Sequence, residues 1–534
     1  MDGLTRRNAL KTALAGAAAS PLGTAIARSE TPRFGSGIEG QRRADLGDGR
    51  YRNPIVPGDH PDPTILQDGV DYYMTFSSFQ SAPGAVIWHS QDLVNWTPIG
   101  AALHEFIGTV WAMDLVKHAG RYYLYIPVLQ PGRTAIYVIH AENIRGPWSA
   151  PVDLHIDGCI DPGHVVGEDG HRYLFVNGGR RVRLADDGLA TAGPVEPGAW
   201  EPWQYPKDWV VEMFAPEGPK LFRRGGWFYL LSAVGGTAGP PTSHMVTLAR
   251  SRSVHGPWEH CPHNPIVHTR SADEPWWSRG HASVVPGPSG DPGDWWMVYH
   301  GYENGLRTLG RQTLLEPVEW TADGWLRAKG GTLDRPLAKP RGGRPSAAGC
   351  ALSMDFSSAA LGPAWSFHAP GPDELARLRF ADGALALRGK GTALADCSPL
   401  CCIVGDRAYE ASVEIELSGA AHGGLALFYD ERGHAGLAFD REQMRTYGYG
   451  LEQTWMRERV PPGPMHIRVV NRENVVTFFH SRDGQSWTQN PWQLEVSGLH
   501  HNTFGGFLSL RLALFCAGDG ELRARNFRYR GLAA

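Results

Sequence analysis

Three carboxylates stand in settings that are locally unusual for loop residues. Asp62 lies in His60-Pro61-Asp62-Pro63-Thr64, Asp161 in Cys159-Ile160-Asp161-Pro162-Gly163-His164, and Glu217 in Phe214-Ala215-Pro216-Glu217-Gly218-Pro219-Lys220. Flanking prolines fix the backbone, and around Asp62 they keep the aspartate from serving as an ordinary turn cap. Each acid precedes a run of aromatic residues that reads as a strand. Carboxyl groups of this kind can divide one reaction between them. One gives a proton to a leaving oxygen while the other activates water or attacks carbon, as cleavage of a glycosidic bond requires. The plainer reading is that Asp-Pro and Glu-Gly-Pro are loop punctuation. Recurrence at equivalent places in a repeat favours chemistry.

That repeat occupies residues 50–330. The aromatic runs are Asp71–Phe76, Arg121–Tyr125, His171–Phe175, Trp227–Leu231 and Trp295–Tyr299, each followed by a second strand-like run and a turn. Tyr73, Tyr123 and Tyr173 fall fifty residues apart, and Tyr229 follows after fifty-six. Units of forty to fifty residues built only of short strands indicate propeller blades, and five fit the length. Strand ends in a propeller gather around one axis, so acids distant in sequence can converge there. Gly146-Pro147-Trp148 and Gly256-Pro257-Trp258 are expected to pack an indole between neighbouring blades. Lys339 to Ser346, rich in Pro, Gly and Arg, breaks the pattern. Beyond it, alternating runs such as Ala411–Leu417 and His466–Val470, with turns such as Ser481-Arg482-Asp483-Gly484, predict an antiparallel sandwich. The expected chain is all-β: an N-terminal extension over 28–49, a five-bladed β-propeller over 50–336, a linker over 337–350 and a lectin-like antiparallel β-sandwich over 351–534.

Composition agrees with several soluble domains. The 534 residues are 42% hydrophobic and 20% charged, with 66 Gly, 40 Pro and 19 Trp, a mixture suited to short strands and tight turns. The net charge of −4 and the lack of a Lys/Arg run beyond the N-terminus give a nucleic-acid partner no electrostatic support. Thr5-Arg6-Arg7-Asn8-Ala9-Leu10-Lys11, an Ala-rich stretch and Ala25-Ile26-Ala27 resemble a twin-arginine signal over 1–27. The expected location is periplasmic or extracellular. No other apolar run is long enough for a membrane span. Seven cysteines cannot all pair. Cys397, Cys401 and Cys402 lack a completing zinc pattern, which leaves buried thiols or one local disulfide.

Taken together, the motifs over 50–330 resemble glycoside hydrolase family 43, a family of five-bladed inverting enzymes. Asn53-Pro54-Ile55 with Pro61-Asp62-Pro63 matches its opening motif and implies Asp62 as general base. By the same resemblance Asp161 orients the acid and tunes its pKa, and Glu217 in Glu217-Gly218-Pro219 is the general acid. Trp111-Ala112-Met113-Asp114 resembles the family's Trp-Ala-Pro-Asp, with Met113 where proline is usual, and implies Trp111 and Asp114 as substrate contacts. Gly280-His281-Ala282-Ser283 resembles the segment that sets a histidine at the pocket floor, where some members hold calcium. His281 is thus a candidate substrate contact and metal ligand, although no cofactor is required. Gly310-Arg311-Gln312 matches the segment carrying a substrate-binding arginine, and Phe79 falls where the family places an aromatic wall. Arg311 could equally pair with a carboxylate. Gly235–His244 is expected to shape the pocket. Residues 351–534 resemble the sandwich of β-xylosidase-like members.

The resemblance implies an exo-acting, inverting hydrolase releasing terminal xylose or arabinofuranose from plant-type oligosaccharides or polysaccharides. In an inverting enzyme the two carboxyl groups stand about 6.5–9.5 Å apart, leaving room for water. A galactofuranosidase or galactanase-type hydrolase is the alternative within the family. A non-catalytic sugar-binding propeller would need no such trio of acids, and the repeated Gly-His and Trp-Asp dipeptides of a WD propeller are missing.

Overall fold

A computed structural model describes residues 34–358 and 360–533. The segment read as an export signal lies outside the described residues, as does the start of the N-terminal extension.

Five antiparallel sheets follow one another from Thr64 to Ala328. The first blade runs Thr64–Asp68, Asp71–Thr75, Gly84–Ser90 and Thr97–Leu103. The second runs Asp114–His118, Arg121–Gln130, Arg133–Ala141 and Val152–Asp157. The third has three strands, Gly163–Val166, Arg172–Val176 and Arg180–Arg183. The fourth runs Glu217–Arg224, Trp227–Val234, Met245–Ser251 and Glu259–His260. The fifth runs Trp276–Pro286, Trp295–Glu303, Arg311–Trp320 and Leu326–Ala328.

One sequence expectation needs correction here. The aromatic run is the second strand of each blade, not the first, and a plainer inner strand precedes it. Each acid therefore stands at the start of an inner strand. The aromatic strands stand out in sequence because both their faces are buried between neighbouring blades. Tyr72, Tyr123, Tyr173 and Tyr229 are all at most 4% exposed, each contributing roughly 2–3 kcal/mol of burial. Trp148 packs in the cluster joining blades one and two, and Trp258 in that joining three and four, which is the interblade role expected of Gly-Pro-Trp.

The ring closes through the segment before blade one. The Asn53 side chain bonds both the N–H and the carbonyl of Leu315, and Ile55 N–H donates to Thr313 O. Arg50–Tyr51 pairs with Leu337–Ala338, so the first two residues of the expected linker form a strand on the propeller.

The sandwich has two antiparallel sheets around one large core. One of them continues into the propeller: Trp365–His368 pairs with Ser81–Ala82 of the first blade. Arg42 of the N-terminal extension fastens the joint. Its N–H donates to Asp406 Oδ1 of the sandwich, and its guanidinium binds Glu303 of blade five, which also pairs with Arg407. All seven cysteines are free thiols, six of them buried. No helix among the described residues is long and apolar enough to cross a membrane.

Candidate active site

Every blade sends one residue from the start or middle of its inner strand toward the axis: Asp62, Asp114, Asp161, Glu217 and His281. Asp62 and Asp161 share a left-handed backbone, each with φ of 56°, and His281 has φ of 59°. Asp tolerates this region better than most residues, yet such positions cost about 1 kcal/mol or more and collect at functional sites. Close approach of the inner strands depends on glycine in two places. A Cβ on Gly163 would lie 1.8 Å from Pro219 O, and one on Gly280 would lie 1.9 Å from the His244 ring. The strand of blade five is also bulged on both sides of Gly280, which turns His281 inward.

Asp62 is 7% exposed and fully engaged. Arg311 Nη1 donates to Oδ1 at 3.0 Å and Nη2 to Oδ2 at 3.3 Å. Ser77 Oγ donates to Oδ2 at 2.6 Å, and His300 Nδ1 sits 3.0 Å from Oδ1. Burial alone would raise this carboxyl, but the guanidinium, the imidazoles and the hydrogen bonds hold it well below the usual carboxylate range. Burial drives His281 down to about 3 and His300 down to about 4, so both rings are neutral near pH 7. Arg311 is then the cation that keeps Asp62 ionised. His300 Nδ1 also meets the Asp62 N–H at 3.2 Å, and its Nε2 lies 3.2 Å from Thr237 Oγ1.

Glu217 is the reverse case. Its side chain is 22% exposed, and neither arginine nor lysine touches it. Burial pushes its pKa well above the ordinary glutamate value, and the negative charges of Asp161 and Asp62 push it further. Asp161 is also raised, to about 7, by burial and by Asp62. The Gly218 N–H, donating to Oδ2 at 3.1 Å, and the charge of Lys220 pull it back toward ionisation. The floor therefore holds one carboxylate kept charged and one carboxyl kept protonated within a single charge network.

The remaining expected residues divide. Asp114 does not reach the pocket with a free oxygen: Oδ1 accepts from Lys220 Nζ at 2.7 Å and from Thr64 Oγ1, and Oδ2 accepts from the His164 N–H. It ties the inner strands of four blades. Met113, standing where the family has proline, is buried, and its carbonyl accepts a second bond from Lys220. Phe79 is 4% exposed and braces Arg311 from behind, its ring centre 5.8 Å from the guanidinium carbon. Trp111 is half-buried at the rim, edge-on to Phe507 at 6.0 Å.

Phe507 belongs to the sandwich and was not foreseen from the sequence. Its ring lies 5.1 Å from the Arg311 guanidinium carbon and stacks on His501 at 3.8 Å. The second domain thus supplies one wall of the site. Ser77, His300 and Lys220 were missed as well. The position of His300 directly after the aromatic run of blade five was the one available signal.

A calcium ion at His281 does not fit these donors. Among the described residues the group whose donor atoms lie close enough to share an ion is His281, His244 and Glu217, with Asp62 Oδ1 3.5 Å from the other ring nitrogen of His281. Calcium takes six to eight oxygen ligands, whereas this set offers two imidazoles and one carboxyl that is held protonated. Both His244 nitrogens and His281 Nε2 are buried without a hydrogen-bond partner in the protein.

Residues 51–326 match the sequence profile of glycosyl hydrolases family 43, and residues 353–528 match the beta xylosidase C-terminal Concanavalin A-like domain. The chain is 31% identical over 360 residues to a non-reducing end alpha-L-arabinofuranosidase of Bacteroides ovatus, covering 64% of this chain and 65% of that protein. It is 33% identical over 323 residues to a xylosidase/arabinosidase of Humicola insolens, covering 54% of this chain and 58% of that protein. The matched stretches thus span less than two thirds of either relative. The solved structure of the GH43 BlXynB protein from Bacillus licheniformis superposes with a TM-score of 0.79 at 27% identity, over 90% of this chain and 100% of that one. With both domains matched in order and the acids gathered on one axis, the chain belongs to glycosyl hydrolases family 43.

Proposed function

We propose that the protein is an exo-acting, inverting glycosidase that removes terminal pentose, xylose or arabinofuranose, from plant-type saccharides. The observation that carries this reading is the split in protonation. Asp62, ionised beside Arg311, deprotonates a water, while Glu217, protonated beside Asp161, gives its proton to the departing oxygen. Asp161 is a positioning residue: its charge disfavours loss of the Glu217 proton, and its bond to Gly218 N–H fixes the backbone beside the acid. Once Glu217 has given up its proton, Asp62 has gained one from water, so the floor's total charge is unchanged through the step. No metal enters this sequence.

The terminal-sugar preference is supported by Phe507, which together with Trp111 narrows one side of the site. Names of both curated relatives include arabinosidase or arabinofuranosidase activity, and one also includes xylosidase activity. Turnover of nitrophenyl β-xyloside, α-arabinofuranoside and β-galactofuranoside by the purified protein decides the sugar. Hydrolysis confined to the galactofuranoside would reject the pentose reading. The paired arginines Arg6 and Arg7 support export by the twin-arginine route. Changing both to Lys is expected to retain the protein in the cytoplasm, and undiminished export would reject that route.

A further inference from the structure

The pentosidase reading leaves open what holds the sugar beyond the scissile bond, and the inference here rests on that reading. The connection between blades three and four, residues 199–216, carries Trp203, Tyr205, Trp209 and Phe214. Within it Val210 is 69% exposed and Met213 is 56% exposed. Clustered apolar side chains left open to water mark a binding surface.

The segment is nonetheless firmly held. The Tyr205 and Phe214 rings lie 6.0 Å apart, Trp203 meets Trp209 at 6.4 Å, and Trp209 stacks on His268 at 4.5 Å. Glu212 fastens it to the neighbouring loop, its Oε2 accepting from Ala238 N–H at 2.7 Å and Gly239 N–H at 2.9 Å. Its own N–H donates to Ser243 Oγ at 2.6 Å. Backbone bonds join Met213 N–H to Gly235 O and Gly235 N–H to Phe214 O. Gly235 directly follows the strand in which Ala233 pairs with Glu217. Met213 and Phe214 therefore lie at the same end of blade four as Glu217.

This location fixes the occupant. A leaving group must lie against the residue that protonates it, and Glu217 is open to solvent where Asp62 is sealed. We propose that Met213, Phe214 and the Tyr205 ring form the leaving-group subsite, an apolar platform for the pyranose ring of the penultimate sugar. One face of a pyranose is lined by C–H groups, which pack on aromatic and thioether surface while the hydroxyls stay wet. The carboxylate of Glu212 is committed to backbone N–H groups, so the platform selects by shape and not by charge.

The test compares two substrates of whichever pentose the protein cleaves: the methyl glycoside, whose leaving group is too small to reach the platform, and a disaccharide such as xylobiose or arabinofuranosyl-xylose. Met213→Ala, at an exposed position that does not endanger folding, and Met213→Ala with Tyr205→Ala are the variants. For the disaccharide, kcat/KM is expected to fall about tenfold in the double variant, and for the methyl glycoside to change less than about twofold. Inhibition by free pentose, which fills only the terminal position, is expected to be unchanged. An equal fall for both substrates, or no fall for the disaccharide, overturns the subsite. If the wild-type protein cleaves neither pentoside, the functional reading fails instead.

Discussion

Removing the Arg311 guanidinium should turn Asp62 from a permanently charged base into one that must be deprotonated by raising the pH. In the structure Arg311 makes both of its contacts to Asp62 through the two terminal nitrogens, inside a site where the carboxylate is 7% exposed. Breaking a buried pair by deleting one partner costs about 3–5 kcal/mol. Each pH unit of displaced titration corresponds to about 1.4 kcal/mol, so Arg311→Met should raise the Asp62 pKa by about 2–4 units. The sign follows from the direction of the native shift. Asp62 is depressed in the folded protein, so the wild type keeps its base ionised throughout the ordinary range, whereas the variant loses it as pH falls. The assay is kcat/KM for a nitrophenyl pentoside from about pH 3 to about pH 9, where the acid limb reports the free enzyme's base. The variant's acid limb should move up by those units, and activity should partly return as pH rises. Arg311→Lys, which keeps a charge but not the fork, should shift it less. Stability should follow the same titration. The stabilisation Asp62 draws from Arg311 is present above the unfolded pKa and disappears as pH falls through the folded one, so the Tm gap between wild type and variant should narrow in acid. A loss of activity by one constant factor at every pH, with the acid limb unmoved, would refute this. Arg311 would then act on sugar and not on Asp62.

Glu217→Gln should lose about 10²–10⁴-fold in turnover yet melt higher than wild type at alkaline pH. A carboxyl raised on folding costs stability above its unfolded pKa, so calorimetry should show little Tm difference near pH 4 and a growing one as pH rises. Phe507→Ala should raise KM for terminal pentosides about tenfold, about 1.4 kcal/mol of lost contact, with circular dichroism unchanged. Dialysis against EDTA should leave kcat within about twofold of the starting value, because the group at His281 offers calcium one carboxyl beside two imidazoles.

What the sequence disclosed depended on how local each signal is. Asp62, Asp161 and Glu217 carry their own backbone constraint, a neighbouring proline, and so stood out one by one. The aromatic strands did too, because burial on both faces enforces a composition no loop would keep. The inner strands, such as Thr64–Asp68 and Gly163–Val166, are short and mixed, and only ring closure gives them their place. Ser77 lies just past a strand of blade one and His300 inside a strand of blade five, and their convergence on Asp62 exists only after those blades meet. Phe507 lies in another domain, reached through the joint that Arg42 and Ser81–Ala82 hold. Asp114 shows the same limit: its motif resembled a substrate contact, and its pairing with Lys220, distant in sequence, emerges only in the fold.

The stereochemistry of the first product tests the central claim most directly. Proton NMR recorded during the opening minutes of pentoside hydrolysis identifies the anomer released before mutarotation mixes the two forms. If Asp62 activates water and Glu217 protonates the leaving oxygen, a single displacement occurs and the sugar emerges inverted. A product of retained configuration would require a covalent intermediate and would contradict the assignment of base and acid.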